Sequence, residues 1–166
     1  DVETGELIKE VEFGAYIANS CPVLDQIAYV AHYAGGILAV DLDTGETAWE
    51  HDTGGTEFVA SPAVSKEMVV VGGRDKILRA LDRATGDELW QFTARKGMDS
   101  SPVVTPEAIF TGADDGRLYA VHPNDGSELW SYDIGSRLNS SPAIAEGTLV
   151  ICGHDGVVYA FGAGNQ

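Results

Sequence analysis

A period of forty residues organises this chain. Pro22, Pro62, Pro102 and Pro142 follow one another at intervals of 40, three of them in the pair Ser-Pro at Ser61, Ser101 and Ser141. Trp49, Trp90 and Trp130 recur at 41 and 40, each ending a phrase of the type Thr-Gly-Glu-Thr-Ala-Trp. Ala39, Ala80, Ala120 and Ala160 hold the same frame, so one loop near Pro22 differs by a residue while the register survives. A repeat of this length defines one supersecondary unit that cannot bury its own apolar face, so the neighbours must cover it.

Inside a unit the signals are those of strands. Ser101-Pro102-Val103-Val104 opens one after a proline, where the missing N–H is tolerated. Ala108–Thr111 forms a second, Asp114-Asp115-Gly116 turns tightly, and Arg117–Val121 alternates as a third. Asn124-Asp125-Gly126 turns again into Glu128–Tyr132. Each unit therefore reads as a four-stranded antiparallel meander. No segment of ten or more residues carries a helical apolar period, which predicts an all-β chain. Meanders of this size cover their faces by repetition around an axis, as in a propeller; a flat solenoid is the competing arrangement.

The boundaries that follow are one domain over 1–166: an outer closing strand at 1–14, blades at 15–55, 56–97 and 98–137, and three last strands at 138–166. Asp1–Glu6 matches Asp41–Glu46, and the chain ends in a third strand, so the N-terminal outer strand is expected to complete the last blade. Closure of that kind removes exposed sheet edges. Four blades are few for one ring. Three assemblies stay open: a dimer forming an eight-bladed ring with exchanged outer strands, part of a longer ring, and a closed four-bladed monomer.

The phrases Ser-Pro, Asp-Gly-Arg-Leu-Tyr-Ala-Val at 115–121 and Thr-Gly-x-x-x-Trp resemble the repeats of the pyrroloquinoline-quinone (PQQ)-like β-propeller superfamily, which includes quinoprotein alcohol dehydrogenases and an outer-membrane assembly scaffold. The resemblance implies that Trp49, Trp90 and Trp130 dock between blades, with the alanines as platforms and Gly45, Gly86 and Gly126 as turn glycines. It also implies an extracellular or periplasmic location, although the chain opens without a basic n-region or apolar h-region. Steric reasoning agrees with the docking roles: a flat indole buries a large area beside a small residue, and a glycine suits a turn of positive φ. Lys9 stands where a fourth tryptophan would, which makes the junction of the two ends the softest seam.

By register, Asn19, Val59, Asp99 and Asn139 ring one mouth of the axial channel, with Arg74, Asp114 and His154 on adjoining turns. Such groups can hold a metal or polar ligand, although Asn and Asp before Ser also satisfy local backbone donors. Asp114-Asp115-Gly116 lacks the spaced acids of a calcium loop and reads as a hairpin turn. Of the features that the family's PQQ enzymes use, neither an adjacent-cysteine pair nor a tryptophan outside the docking set is present, and the loops are short for a roof over a cofactor. No catalytic spacing of Ser, His and Asp occurs.

The sequence thus predicts a non-catalytic scaffold that binds proteins, with no cofactor expected. The alternatives are a quinoprotein oxidoreductase using PQQ and calcium, whole or in part, and a ligand-sensing ectodomain. The formal net charge of −16 argues against nucleic acid and anionic lipid as partners, and no apolar run is long enough for membrane insertion. Cys21 and Cys152 show no metal-ligand spacing and are expected to be small buried residues. A homodimer completing a larger ring is the assembly that two such chains would form.

Overall fold

The computed structural model describes residues 1–162; residues 163–166, the end of the last predicted blade, lie outside the described residues. Fifteen strands form four antiparallel sheets with no helix among the described residues. The first sheet holds β1 (Val23–Leu24), β2 (Ile27–Ala31), β3 (Gly36–Asp41) and β4 (Thr47–Asp52). The second holds β5 (Ala63–Val64), β6 (Met68–Gly72), β7 (Ile77–Asp82) and β8 (Glu88–Thr93). The third holds β9 (Val103–Val104), β10 (Ile109–Gly112), β11 (Arg117–Val121) and β12 (Glu128–Asp133). The last holds β13 (Ala143–Ala145), β14 (Thr148–Cys152) and β15 (Val158–Gly162). Each sheet is ordered as the chain runs, so each is a meander.

The middle strands explain the stacking. Val69, Val70 and Val71 are all fully buried, because the sheet is covered on both faces by its neighbours, and a strand covered twice reads as a continuous apolar run. Tyr29, Ile37 and Trp49 of the first sheet share a core with Phe58 and Leu81 of the second stretch. Val70, Ala80 and Trp90 share one with Ile109 and Tyr119 of the third sheet. Leu118 joins Leu149 and Ile151 of the last. The sheets are therefore stacked in chain order, as propeller blades are. Near the axis the blades are also tied by serines: Ser61 N donates to Ser101 Oγ at 2.9 Å, and Ser101 N to Ser141 Oγ at 3.2 Å.

The turns before β4 and β8 are capped alike, and in the third blade His122 Nδ1 accepts from Asn124 N instead. Asp41 Oδ1 accepts from Asp43 N and Thr44 N, and Asp82 Oδ1 from Ala84 N and Thr85 N. Gly45, Gly86 and Gly126 then take φ of +81°, +76° and +72°, a conformation in which a Cβ is strained. A register shift follows in every complete blade, at Ala39/Val40, Ala80/Leu81 and Ala120/Val121.

Two expectations are corrected. Among the described residues the last sheet has three strands, and residues 1–14 do not complete it. They form no strand and lie at the other end of the row, because Val11, Phe13 and Ile17 bury against Val30, Leu38 and Val40 on the face of the first sheet that no blade covers. The two cysteines are exposed rather than buried. Cys21 stands where the other blades carry Ser61, Ser101 and Ser141, and Cys152 where they carry Gly72 and Gly112, so neither takes a core position of the repeat; partial burial nonetheless raises the Cys21 thiol pKa.

Candidate functional site: the axial mouth and the blade seams

One backbone bond recurs in every blade at the end of the sheets where β2 turns into β3. Tyr33 N donates to Tyr16 O, Arg74 N to Glu57 O, Asp114 N to Gly97 O and His154 N to Arg137 O. This ladder places Tyr33, Arg74, Asp114 and His154 at equivalent points of a rim, and beside them Tyr16, Glu57, Gly97 and Arg137. Four of these groups form one cluster. The Arg74 guanidinium holds Asp99 with two bonds of 2.9 and 3.0 Å and Glu57 with one of 2.8 Å. Its Cζ stands 5.7 Å from the centre of the Tyr33 ring. Tyr16 meets Tyr33 edge to face at 5.2 Å. The hydrogen bonds that Arg74 donates to Asp99 and Glu57 raise its pKa further, so the charge is permanent. Tyr16 is 69% exposed, and the Arg74 side chain 43%.

The remaining mouth residues are not joined to this cluster. Asn19 Nδ2 donates to Ala31 O at 3.0 Å, with a longer bond of 3.5 Å to Phe58 O, so it bridges the first two blades. Asn139 and His154 belong to the last blade, and among the described residues no side-chain hydrogen bond links them to Arg74 or Asp99. The Oδ1 atoms of Asn19, Asp114 and Asn139 are buried without a hydrogen-bond partner. Asp115 accepts from Arg117 N at 2.9 Å and from the Tyr119 hydroxyl at 2.6 Å, the bonding of a pinned hairpin turn. Tyr16, Tyr33 and Glu57 were not singled out from sequence. The register that found Arg74 also leads back to Tyr33, at a spacing of 41, and would have found it.

The seams form a second set. Trp49 lies against Gly86, where a methyl group would come within 2.6 Å of Cε3, and its Nε1 donates to Arg83 O at 2.9 Å. Trp90 treats Gly126 in the same way, again at 2.6 Å, and donates to Pro123 O at 2.7 Å. Lys9 occupies the corresponding place against Gly45, its Cδ 3.4 Å from where a Cβ would be, and Nζ donates to Asp43 O. Trp130 differs. It is 41% exposed, leans on Phe110 and Phe161, and its Nε1 has no acceptor among the described residues. Beside it lies an open apolar groove of about 320 Å³ lined by Phe110, Ile144, Leu149 and Phe161.

Comparison with known proteins gives these features a context. The family model of the outer membrane protein assembly factor BamB matches residues 1–166. BamB of Xanthomonas campestris pv. campestris is 32% identical over 78 residues, which cover 42% of this chain and 19% of that protein. A quinoprotein ethanol dehydrogenase of Pseudomonas putida is 31% identical over 68 residues, 41% of this chain and 11% of that protein. In structure, BamB of Moraxella catarrhalis superimposes with a TM-score of 0.80 at 21% identity, over 90% of this chain and 48% of that one. The computationally designed Ika4 protein gives 0.84 at 19% identity, over 97% and 100%. The chain spans about half the length of the Moraxella protein and a smaller part of the curated relatives.

Proposed function

The chain belongs to the BamB family of PQQ-like β-propellers, and from that membership we propose that it acts as a non-catalytic scaffold that binds a protein partner at the axial mouth. The observation that carries this reading is the Tyr16–Tyr33–Arg74 cluster. Tyrosine and arginine are enriched among the residues that dominate protein interfaces, tyrosine because its rigid ring offers wide contact area and arginine because its planar guanidinium offers several donors. Here both rings and the guanidinium are held in place before a partner arrives, which lowers the entropy lost on binding. The partner best suited is an extended peptide or loop carrying an apolar side chain for the tyrosine faces and a basic side chain for the exposed Glu57 carboxylate, since Arg74 already holds two carboxylates. A location outside the cytoplasm belongs to the same proposal, given that a relative is named for outer membrane assembly.

Catalysis with PQQ is the second reading, favoured by the segment shared with the ethanol dehydrogenase and by the three partnerless oxygens of Asn19, Asp114 and Asn139. The residues at hand fit that cofactor poorly. Trp49 and Trp90, which could stack a quinone, are shut between blades, and Arg74 is already neutralised by two carboxylates.

Two experiments test the choice. Titration with PQQ and calcium, read by absorbance and melting temperature, is expected to give no saturable change; saturable binding would overturn the scaffold reading. Panning a displayed peptide library is expected to enrich sequences whose binding is lost on Tyr33→Ala and on Arg74→Ala. Binders indifferent to both variants would contradict the mouth as the docking face.

A further inference from the structure

The turn that carries Tyr33 is capped differently from its three counterparts. In the other blades an aspartate pins the hairpin: Asp75 Oδ1 accepts from Ile77 N at 3.2 Å, Asp115 Oδ1 from Arg117 N at 2.9 Å and Asp155 Oδ1 from Val157 N at 3.1 Å. In the first blade that register position is Ala34, which has no side-chain acceptor. His32 supplies one instead. Its Nδ1 accepts from Ala34 N at 3.2 Å and from Gly36 N, the amide equivalent to Ile77 N, at 3.5 Å. Gly73 and Gly153 stand where the first blade has His32, and a Cβ on them would meet the aspartate Oδ1 at 2.5 and 2.4 Å. In the first blade the bare position is Gly36, where a Cβ would lie 2.3 Å from His32 Nε2, while the other blades carry Ile77, Arg117 and Val157 there. Histidine, alanine and glycine at 32, 34 and 36 therefore act as one exchanged cap. The ring is 7% exposed.

We propose that His32 is the positioning residue of the axial mouth: its neutral ring locks the Tyr33 turn, and its protonation releases Tyr33 and weakens binding there. This rests on the reading of the mouth as a docking face. Tyr33 lies between His32 and Ala34, and its ring meets both the Tyr16 edge and the Arg74 guanidinium. Nδ1 holds two amides through its lone pair, so the one proton of the neutral ring is on Nε2. A second proton goes to Nδ1, removes that acceptor and sets a third donor against the two amides, which are left without a partner. Histidine changes charge between about pH 5 and 8, whereas a carboxylate cap stays charged over that span.

The charged groups on the elements around the hairpin are engaged elsewhere. Asp52, opposite Gly36 on β4, accepts from Gly54 N at 2.8 Å. Glu57 and Asp99 hold Arg74, and Asp75 holds Arg79. Glu50 and His51 face Leu38 and Ile37, further along β4 from the turn. Tyr16 is the titratable group of the N-terminal stretch beside Tyr33. Among the described residues no carboxylate forms an ion pair with the His32 ring.

Nuclear magnetic resonance of the unaltered chain, with no peptide present, is the first test. From about pH 7.5 to 5 the amides of Ala34 and Gly36 and the ring protons of Tyr33 are expected to shift together, with the midpoint of the His32 ring itself. The double variant His32→Gly, Ala34→Asp installs the cap seen at Gly153 and Asp155. It is expected to keep a folded circular dichroism spectrum and to hold the Tyr33 signals constant over the same span. A peptide without histidine or carboxylate, enriched on the mouth, is expected to bind the unaltered chain about tenfold more weakly at the lower pH and the double variant equally at both. Tyr33 signals that ignore the His32 titration, or that move as far in the double variant, would overturn the proposal whether or not a peptide binds. Equal peptide affinity at both pH values in the unaltered chain would overturn it as well. If no peptide is enriched while the Tyr33 signals titrate as described, the docking reading fails and the role of His32 in the turn stands.

Discussion

Trp90 lies flat on Gly126 of the next blade and donates its indole N–H to Pro123 O at 2.7 Å, and Trp49 repeats this pair with Gly86 and Arg83. The seam is thus a ring pressed on a bare backbone with its one polar atom satisfied, which suits a buried indole. Trp90→Ala is expected to cost about 3–5 kcal/mol, the range for emptying a buried aromatic site. Trp130→Ala is expected to cost much less in the single chain, since Trp130 is 41% exposed against 8% for Trp90. Urea unfolding at low salt and high dilution gives both values and their order.

Gly126→Ala attacks the same seam from the other side. A methyl group there would lie 2.6 Å from Trp90 Cε3, so the ring must move, and overpacking of this kind costs about 1–3 kcal/mol beyond the backbone strain. Gly135→Ala carries the strain alone, with φ of +78° and nothing within 4 Å. Urea midpoints are expected to place the first variant well below the second.

Asp75 and Arg79 form a partly buried pair in the second blade, with Thr56 Oγ1 and Ile77 N also donating to the carboxylate. Burial pushes the Asp75 carboxyl up, but the hydrogen bond and charge of Arg79, with the other donors, bring it below the usual carboxylate value. A depressed carboxyl contributes stability above its unfolded pKa, and that contribution is lost as pH falls below about 3.8 toward the folded value. Asp75→Asn is expected to flatten the acid limb of the stability–pH profile. It should also cost about 3–5 kcal/mol at neutral pH, because the Arg79 guanidinium, 6% exposed, is left without its charge partner.

Tyr119 gives the opposite limb. Burial, then the hydrogen bond to Asp115 and that carboxylate's charge, push its hydroxyl up to about 12. The neutral phenol is favoured in the fold, so its contribution is complete below the ordinary value of 10.0 and is lost as pH rises through about 12. Ultraviolet titration is expected to show a late-ionising tyrosine that Tyr119→Phe removes, with about 1 kcal/mol lost at neutral pH for the missing hydrogen bond.

The period in the sequence carried the blades nearly to the residue. Strands expected from Val103, from Ala108–Thr111, over Arg117–Val121 and from Glu128 are observed at Val103–Val104, Ile109–Gly112, Arg117–Val121 and Glu128–Asp133. A repeat is readable because its signals are local: a proline before a strand, a glycine of positive φ, alternation between them. What lay beyond reach depended on which blade meets which. The packing of Val11, Phe13 and Ile17 on the first sheet is a long-range choice that no local pattern announces. Register brings Arg74 and Asp99 to one end of the blades, but their union with Glu57, Tyr33 and Tyr16 joins three loops and rests on side-chain reach rather than spacing. Both cysteines are exposed at positions where the other blades carry serine or glycine, which the period itself makes legible.

Competition at the axial mouth tests the scaffold reading most directly. A peptide enriched on the unaltered chain is expected to bind Tyr33→Ala and Arg74→Ala more weakly by about tenfold or more, and to bind Asp75→Asn, away from the Tyr16–Tyr33–Arg74 cluster, as tightly as the unaltered chain. Equal affinity for the unaltered chain, Tyr33→Ala and Arg74→Ala would contradict the mouth as the docking face.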